Sequence, residues 1–180
     1  RAVFSALLDG AFRAPGRWGD TIGVAVPLLL VALGTTISGR AGLVNIGQEG
    51  QLTVGAAVAC YVGVNLPGPG PFVLVALLIG GMLGGGAWAG VAGALRYRRR
   101  VPEVLTTLLL VTVATQLVGW GLNKTWLLLA DFSDRTGDRS IISDPLPADA
   151  RLPRATIFGN SFPISVFIGL ALALLVGLVL

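Results

Sequence analysis

The hydrophobic positions of this chain fall into long, nearly unbroken runs, with the polar residues gathered between them. A helix that crosses a bilayer needs about 20 mostly apolar residues. Four or five runs approach that length: about Thr21 to Ser38, with Pro27 inside it; about Asn45 to Leu66, polar in its first turns; about Phe72 to Leu95; near Val101 to about Gly121, with a fraying end toward Ala130; and Phe162 to Leu180. The pattern predicts an all-α, polytopic integral membrane helix bundle of about five transmembrane helices, in a single transmembrane domain over residues 1–180. The long polar stretch between the fourth and fifth runs, residues 131–161, reads as a loop outside the bilayer. The chain starts at Arg1 and stops at Leu180 within an apolar run, so the domain is expected to be partial and the chain a piece of a longer protein.

Composition agrees with the pattern. Hydrophobic residues make up 54% of the chain and charged residues 12%, with a mean hydropathy of +0.81. A soluble domain carries about 25% charged residues, so lipid must serve as part of the solvent here. The net charge of +4 comes from basic residues placed between apolar runs rather than along one face, which argues against a nucleic-acid partner and for membrane lipid. There is no histidine, and the one cysteine, Cys60, lies inside an apolar run as a small packing residue. A zinc site of the usual His/Cys type and a disulfide within the chain are therefore not expected, and no metal ligands are assigned.

Basic residues near helix ends set orientation. The densest cluster, Arg96, Arg98, Arg99 and Arg100, links the third and fourth runs, and Arg40 links the first and second. The opposite side receives the uncharged Asn65–Pro71 and a loop with five Asp against four Arg. The arginine links are thus predicted to be cytoplasmic and the 131–161 loop extracytoplasmic, with Arg13 and Arg17 running against the rule. In the third run, the spacings Gly80/Gly84, Gly81/Gly85 and Gly86/Gly90 predict close helix packing or, alternatively, a face for subunit dimerisation.

The second run opens on Arg40-Ala-Gly-Leu-Val-Asn45-Ile-Gly47-Gln48-Glu49-Gly50-Gln51. On a helix, Asn45, Gln48 and Glu49 would share a face, with Gln51 beside Gln48. A carboxylate at the centre of a lipid-facing helix costs about 2.5–3.5 kcal/mol, so Glu49 belongs near the interface or against a wet cavity. Two readings stand: a cytoplasmic helix N-terminus with Glu49 at the positive end of the dipole, or a broken helix lining a translocation path. On the fourth run Glu103, Thr106 and Thr107 form a polar face, with Thr112, Gln116 and Asn123 roughly opposite; hydrogen bonding between helices is the plainer role for the threonines. Glu103 is expected at a helix start, stabilised by the dipole and by Arg98–Arg100.

The stretch Pro27-Leu-Leu-Leu followed by Gly-Arg-Ala-Gly-Leu-Val-Asn-Ile-Gly-Gln-Glu-Gly-Gln resembles the core of the permease subunits of bacterial ABC importers of nucleosides and simple sugars, the ribose-type family, which is related to branched-chain amino-acid permeases. A second block, Arg100-Val-Pro-Glu103-Val-Leu-Thr106-Thr107-Leu-Leu-Leu, is similar to that family's Val-Asn-Glu-Val-Ile-Ser-Thr-Leu-Met-Leu-Asn. Pro102 and Val111 stand where the family commonly has Asn, which points toward a different ligand, although proline also suits the first turn of a helix. The resemblance implies a multi-pass permease domain in a bacterial cytoplasmic (inner) membrane, moving a small polar solute inward by alternating access. It implies as partners a second permease subunit (the same or a different chain), cytoplasmic ATPase subunits and an extracytoplasmic substrate-binding protein. No cofactor is expected on this chain, since ATP belongs to the ATPase, whose docking region is expected beyond Leu180.

Asn45, Gln48, Glu49 and Gln51 are the candidates for the pathway or its gate. Glu103, Thr106, Thr107 and Gln116 are candidates for the pathway or for helix packing. The basic link Arg96, Arg98, Arg99 and Arg100 reads as a topology and phospholipid contact, or as a contact to the ATPase. No catalytic constellation and no Gly-x-x-x-x-Gly-Lys-Ser/Thr loop is present, so the chain reads as a transport subunit and not an enzyme. The rival readings are a branched-chain amino-acid permease, an ion-coupled carrier with Glu49 as coupling carboxylate, and a structural membrane subunit.

Overall fold

The computed structural model describes residues 2–13, 17–124, 127–128, 143–157 and 160–179. They form a mostly helical chain: α1 (Ala2–Leu8), continued by a π-helical turn (Asp9–Arg13), α2 (Arg17–Arg40), α3 (Gln48–Asn65), α4 (Gly70–Arg99), α5 (Glu103–Gly121), a 3-10 turn (Ala148–Ala150), strands β1 (Arg154–Ile157) and β2 (Asn160–Pro163), and α6 (Ser165–Val179). Three helices, α2, α4 and α5, are long and apolar enough to cross a membrane. Helix α3 has spanning length but a polar first turn, and the described part of α6 is 15 residues. Large apolar side chains such as Met82, Leu83, Leu109 and Leu174 are exposed, as lipid-facing positions are. The chain is a polytopic helical membrane protein. The mostly helical class agrees with expectation; what was not expected is the antiparallel β1–β2 hairpin, which occupies the end of the predicted 131–161 loop and delays α6 to Ser165. Residues 131–142 of that loop lie outside the described residues, as do 129–130 at the fraying end predicted for the fourth run.

The chain divides into two compact units. One comprises Arg1–Gly42 and Leu152–Leu180. Here α2 packs against β2 and α6. Gly19 lies directly under the Ser161 carbonyl and Gly23 against the Pro163 ring, so the hairpin rests on a helix surface with no side chain between. Asp20, in the first turn of α2, forms an exposed ion pair with Arg154 of β1 at 2.6 Å. The Thr21 hydroxyl donates to the Ala11 carbonyl at 2.6 Å and ties α2 to the preceding turn. Farther along, Gly169 of α6 receives Val26.

The other unit, Leu43–Arg151, is built around α3. Helix α4 runs 30 residues, about 45 Å at 1.5 Å per residue, against a hydrocarbon core of about 30 Å. Its basic last turn therefore reaches past the apolar layer. The α3–α4 contact is made by glycine. A Cβ on Gly55 would stand 2.9 Å from the Gly81 carbonyl oxygen, one on Gly85 3.0 Å from that of Gln51, and one on Gly84 2.8 Å from a Val58 methyl. Gly80 receives Val62 in the same way. Two of the three predicted glycine spacings thus serve packing within this unit, whereas Gly86 and Gly90 have nothing near a would-be Cβ among the described residues. At the far end, Val73 and Leu77 of α4 bury Ala150 of the 3-10 turn, and Gly70 lies against the Asp149 carbonyl.

This crossing should be sensitive to one methyl group. Gly55→Ala should lower the stability of the purified protein by about 1–3 kcal/mol through overpacking. Gly86→Ala should be neutral or up to about 1 kcal/mol stabilising through helix propensity. Thermal unfolding in detergent reads both, and equal behaviour of the two variants would refute the close approach.

Candidate functional site

Helix α2 ends in a turn at Ala41–Gly42, with Gly42 at φ 72°, a left-handed position that suits glycine. Residues 43–47 are non-helical, and α3 begins at Gln48. The shared helical face expected for Asn45, Gln48 and Glu49 therefore does not form, because Asn45 lies ahead of the helix. Its side chain folds back instead. Asn45 Oδ1 accepts from the Gly47 N–H at 3.0 Å and from Gln51 Nε2 at 3.2 Å, while Asn45 Nδ2 donates to Gln51 Oε1 at 3.3 Å. Two amides thus close on each other across the junction, and the local Asn–backbone bond gives an Asx-type turn. Gln48 is half-buried, and Glu49 is exposed in the first turn of α3, where the helix dipole favours a carboxylate.

The glycines of this stretch seat α3 on α5. A Cβ on Gly47 would stand 3.0 Å from Cβ of Thr107, and one on Gly50 3.0 Å from Cα of Val111 and 3.4 Å from the Ala114 methyl. The two sequence blocks that carry the resemblance are therefore packed against each other. Thr106 and Thr107 are buried at this contact, at 4% and 1% exposure. Their hydroxyls donate to carbonyls in their own helix: Thr106 to Pro102 at 3.1 Å, Thr107 to Glu103 at 2.9 Å and Val104 at 3.1 Å. Bonds between helices, the plainer role expected for the threonines, are not among the described ones. Trp88 of α4 donates to the Leu110 carbonyl at 3.3 Å and joins the third helix to the same region.

Arg100 caps α4 in the left-handed conformation at φ 53°, and the chain reverses through Pro102 into α5. The reversal lays the start of α5 beside the last turn of α4, where Glu103 pairs with Arg96. Arg98–Arg100, expected as the partners of Glu103, are exposed at the last turn and cap of α4. The structure thus gathers Asn45, Gln51 and Thr107 at one end of the unit, with Gln48 and Glu49 adjoining and the Arg96–Glu103 pair at the neighbouring helix ends. Gln116 is not gathered with them. It is exposed on α5 nine residues past Thr107, about 13 Å along the axis.

A second polar feature lies at the other end of α3 and was missed by sequence reasoning. A small cleft of about 70 Å³ is lined by Cys60, Tyr61 and Asn65 together with Ser143 and Asp144. The Cys60 thiol donates to Ser143 Oγ at 3.1 Å, and Asn65 Nδ2 donates to the Tyr61 carbonyl at 2.9 Å. The spacing of Tyr61 and Asn65, one turn apart at a polar helix end, was the available signal; Ser143 and Asp144 arrive from a distant part of the chain.

The profile of the branched-chain amino acid transport system / permease component family matches residues 19–180. The chain is similar to the guanosine ABC transporter permease protein NupP of Bacillus subtilis, 35% identical over 74% of this chain and 38% of that protein. It is similar to the glucose ABC transporter permease protein TsgB13 of Haloferax volcanii, 37% identical over 63% of this chain and 28% of that protein. The nucleoside ABC transporter permease protein NupB of Lactococcus lactis is 31% identical over 51% of this chain and 26% of its own. The chain thus spans well under half the length of these relatives. No solved structure matches it significantly.

The amide pair is open to a double-mutant cycle. Asn45→Ala and Gln51→Ala should couple by about 0.5–1.5 kcal/mol in thermal or denaturant unfolding, and additive effects would exclude the pair.

Proposed function

This chain belongs to the branched-chain amino acid transport system / permease component family, and on that premise we propose that it is part of the membrane-spanning permease subunit of an ATP-binding cassette importer for a small polar solute, a nucleoside or simple sugar. One observation carries the reading: the Asn45–Gln51 stretch and the Glu103–Leu110 block form a single packed junction, Gly47 on Thr107 and Gly50 on the Leu110 carbonyl. The names of the relatives, for guanosine, nucleosides and glucose, support the solute class. In this reading the segment contributes about five spans, with α3 and α6 crossing beside α2, α4 and α5. It forms one partial permease domain in a bacterial cytoplasmic membrane. The Arg40 and Arg96–Arg100 links face the cytoplasm, and the 131–161 loop faces outward.

The roles at the junction then separate. Asn45 and Gln51 hold the break ahead of α3 through their mutual bonds, and Gln48 and Glu49 offer polar groups to the path or its inner gate. Glu103, Thr106 and Thr107 support the junction through packing and the Arg96 pair, and Gln116 stands apart on the surface of α5. A second permease subunit, cytoplasmic ATPase subunits that bind ATP, and an extracytoplasmic substrate-binding protein complete the importer.

The test is uptake by the complete importer in proteoliposomes. Guanosine or glucose should accumulate only with ATP and the ATPase subunits. Gln48→Ala or Glu49→Ala should slow uptake by up to about tenfold, the worth of one hydrogen bond, without loss of assembly. Leucine as the sole transported solute would favour the amino-acid reading that the family description carries. Uptake driven by an ion gradient without ATP would refute the importer.

A further inference from the structure

Ahead of α2, the apolar and polar residues of α1 and its π-helical turn are sorted onto two sides. Val3, Phe4, Leu7, Leu8 and Phe12 fall on one half of the helix circumference, and Ser5, Ala6, Asp9 and Gly10 on the other. The apolar side is open, with Phe4 at 75% and Leu7 at 64% exposure. We propose that this segment is an interfacial helix, lying along the bilayer surface with its apolar side sunk into lipid, on the membrane face that carries the β1–β2 hairpin. The proposal rests on the membrane class of the chain and on neither its solute nor its ATPase.

The depth of α1 is set by α2. Asp20, in the first turn of α2, meets Arg154 in the open, so that turn stands at the water boundary. The Thr21 hydroxyl donates to the Ala11 carbonyl at 2.6 Å, and the Phe12 and Trp18 rings meet at 5.1 Å, tilted by 56°. Two contacts therefore hold the end of α1 at the level where α2 begins. Tryptophan is enriched at that level, with its ring among the headgroups, and Trp18 is exposed. The short apolar helix Val3–Phe12 is about 15 Å long, half of a hydrocarbon core of about 30 Å. Tied at the boundary and too short to cross, it runs along the surface.

The side of α2 that receives this turn is the lipid side. Thr21, Val24 and Leu28 follow one another at i, i+3 and i+7 and share a face, on which Val24 and Leu28 are exposed at 73% and 70%. Gly19 and Gly23, which seat the hairpin, lie roughly opposite. Helix pairs in this protein meet through glycine, whereas the open side of α1 carries phenylalanine, leucine and valine. Such bulky side chains suit fluid acyl chains rather than a close helix contact. Charge agrees with lipid as the partner. Arg17 is exposed at the start of α2 and makes no ion pair among the described residues, which leaves it open to a lipid phosphate. That accounts for a basic residue which runs against the orientation rule.

The experiment introduces Phe4→Cys, Leu7→Cys, Ala6→Cys or Gly10→Cys, one at a time, as the single cysteine of the full-length permease, with Cys60→Ser, and attaches a nitroxide. Gly10 has open space at its Cβ position, and two positions on each side guard against a label that disturbs the helix. In proteoliposomes of phosphatidylethanolamine and phosphatidylglycerol, electron paramagnetic resonance reads collisions with oxygen, which concentrates among acyl chains, and with a water-soluble nickel chelate. The ratio of oxygen to nickel collisions at positions 4 and 7 is expected to exceed that at positions 6 and 10 by about threefold or more. Equal ratios at all four positions, or the opposite order, would overturn the proposal. So would positions 4 and 7 that meet neither reagent, since protein would then cover the face. The readout needs neither ATP nor solute, so a failure of ATP-driven uptake would count against the importer reading alone.

Discussion

Within lipid, apolar side chains gain nothing by hiding from their surroundings, so helices hold together through close van der Waals contact. In the unit around α3 that contact is backbone on backbone. Gly55 and Gly85 bring α3 and α4 within the reach of a single methyl group, and Gly47 and Gly50 do the same for α3 and α5. Every polar arrangement at this end depends on those approaches. The amide of Asn45 reaches Gln51 because the start of α3 is held on α5, and Thr107 is buried because Gly47 covers it.

Polar groups in this setting must be satisfied nearby, since unpaired ones cost several kcal/mol in hydrocarbon. The structure meets the requirement with short, local closures. The two amides pair with each other, the threonine hydroxyls bond to carbonyls one turn back, and Glu103 takes Arg96 from the preceding helix. Among the described residues no buried side-chain nitrogen or oxygen lacks a partner.

The unit of α2, the hairpin and α6 uses the same device for a different surface. Gly19 and Gly23 clear a strip of α2 on which β2 rests. The exposed Asp20–Arg154 pair adds little by itself, as surface pairs contribute about 0–1 kcal/mol. Position there is set by the close fit of the glycine strip.

The membrane class, the three long apolar helices and the two family blocks were all legible in the order of residues. Hydropathy and charge act on a segment through its solvent, with no need of neighbours. The glycine pairs Gly80/Gly84 and Gly81/Gly85 were legible as packing for the same reason, since a missing side chain is a local property. The sequence by itself could not say that Asn45 would leave the helix, that Glu103 would choose Arg96 over Arg98–Arg100, or that a hairpin would precede α6. Each of these depends on where the chain reverses and what then lies alongside. The role of Gly47 and Gly50 was hidden in the same way: glycine weakens a helix in isolation, and only the presence of α5 turns that weakness into a contact. The cleft was beyond sequence reasoning altogether, because its two walls, Tyr61–Asn65 and Ser143–Asp144, meet only in the folded chain.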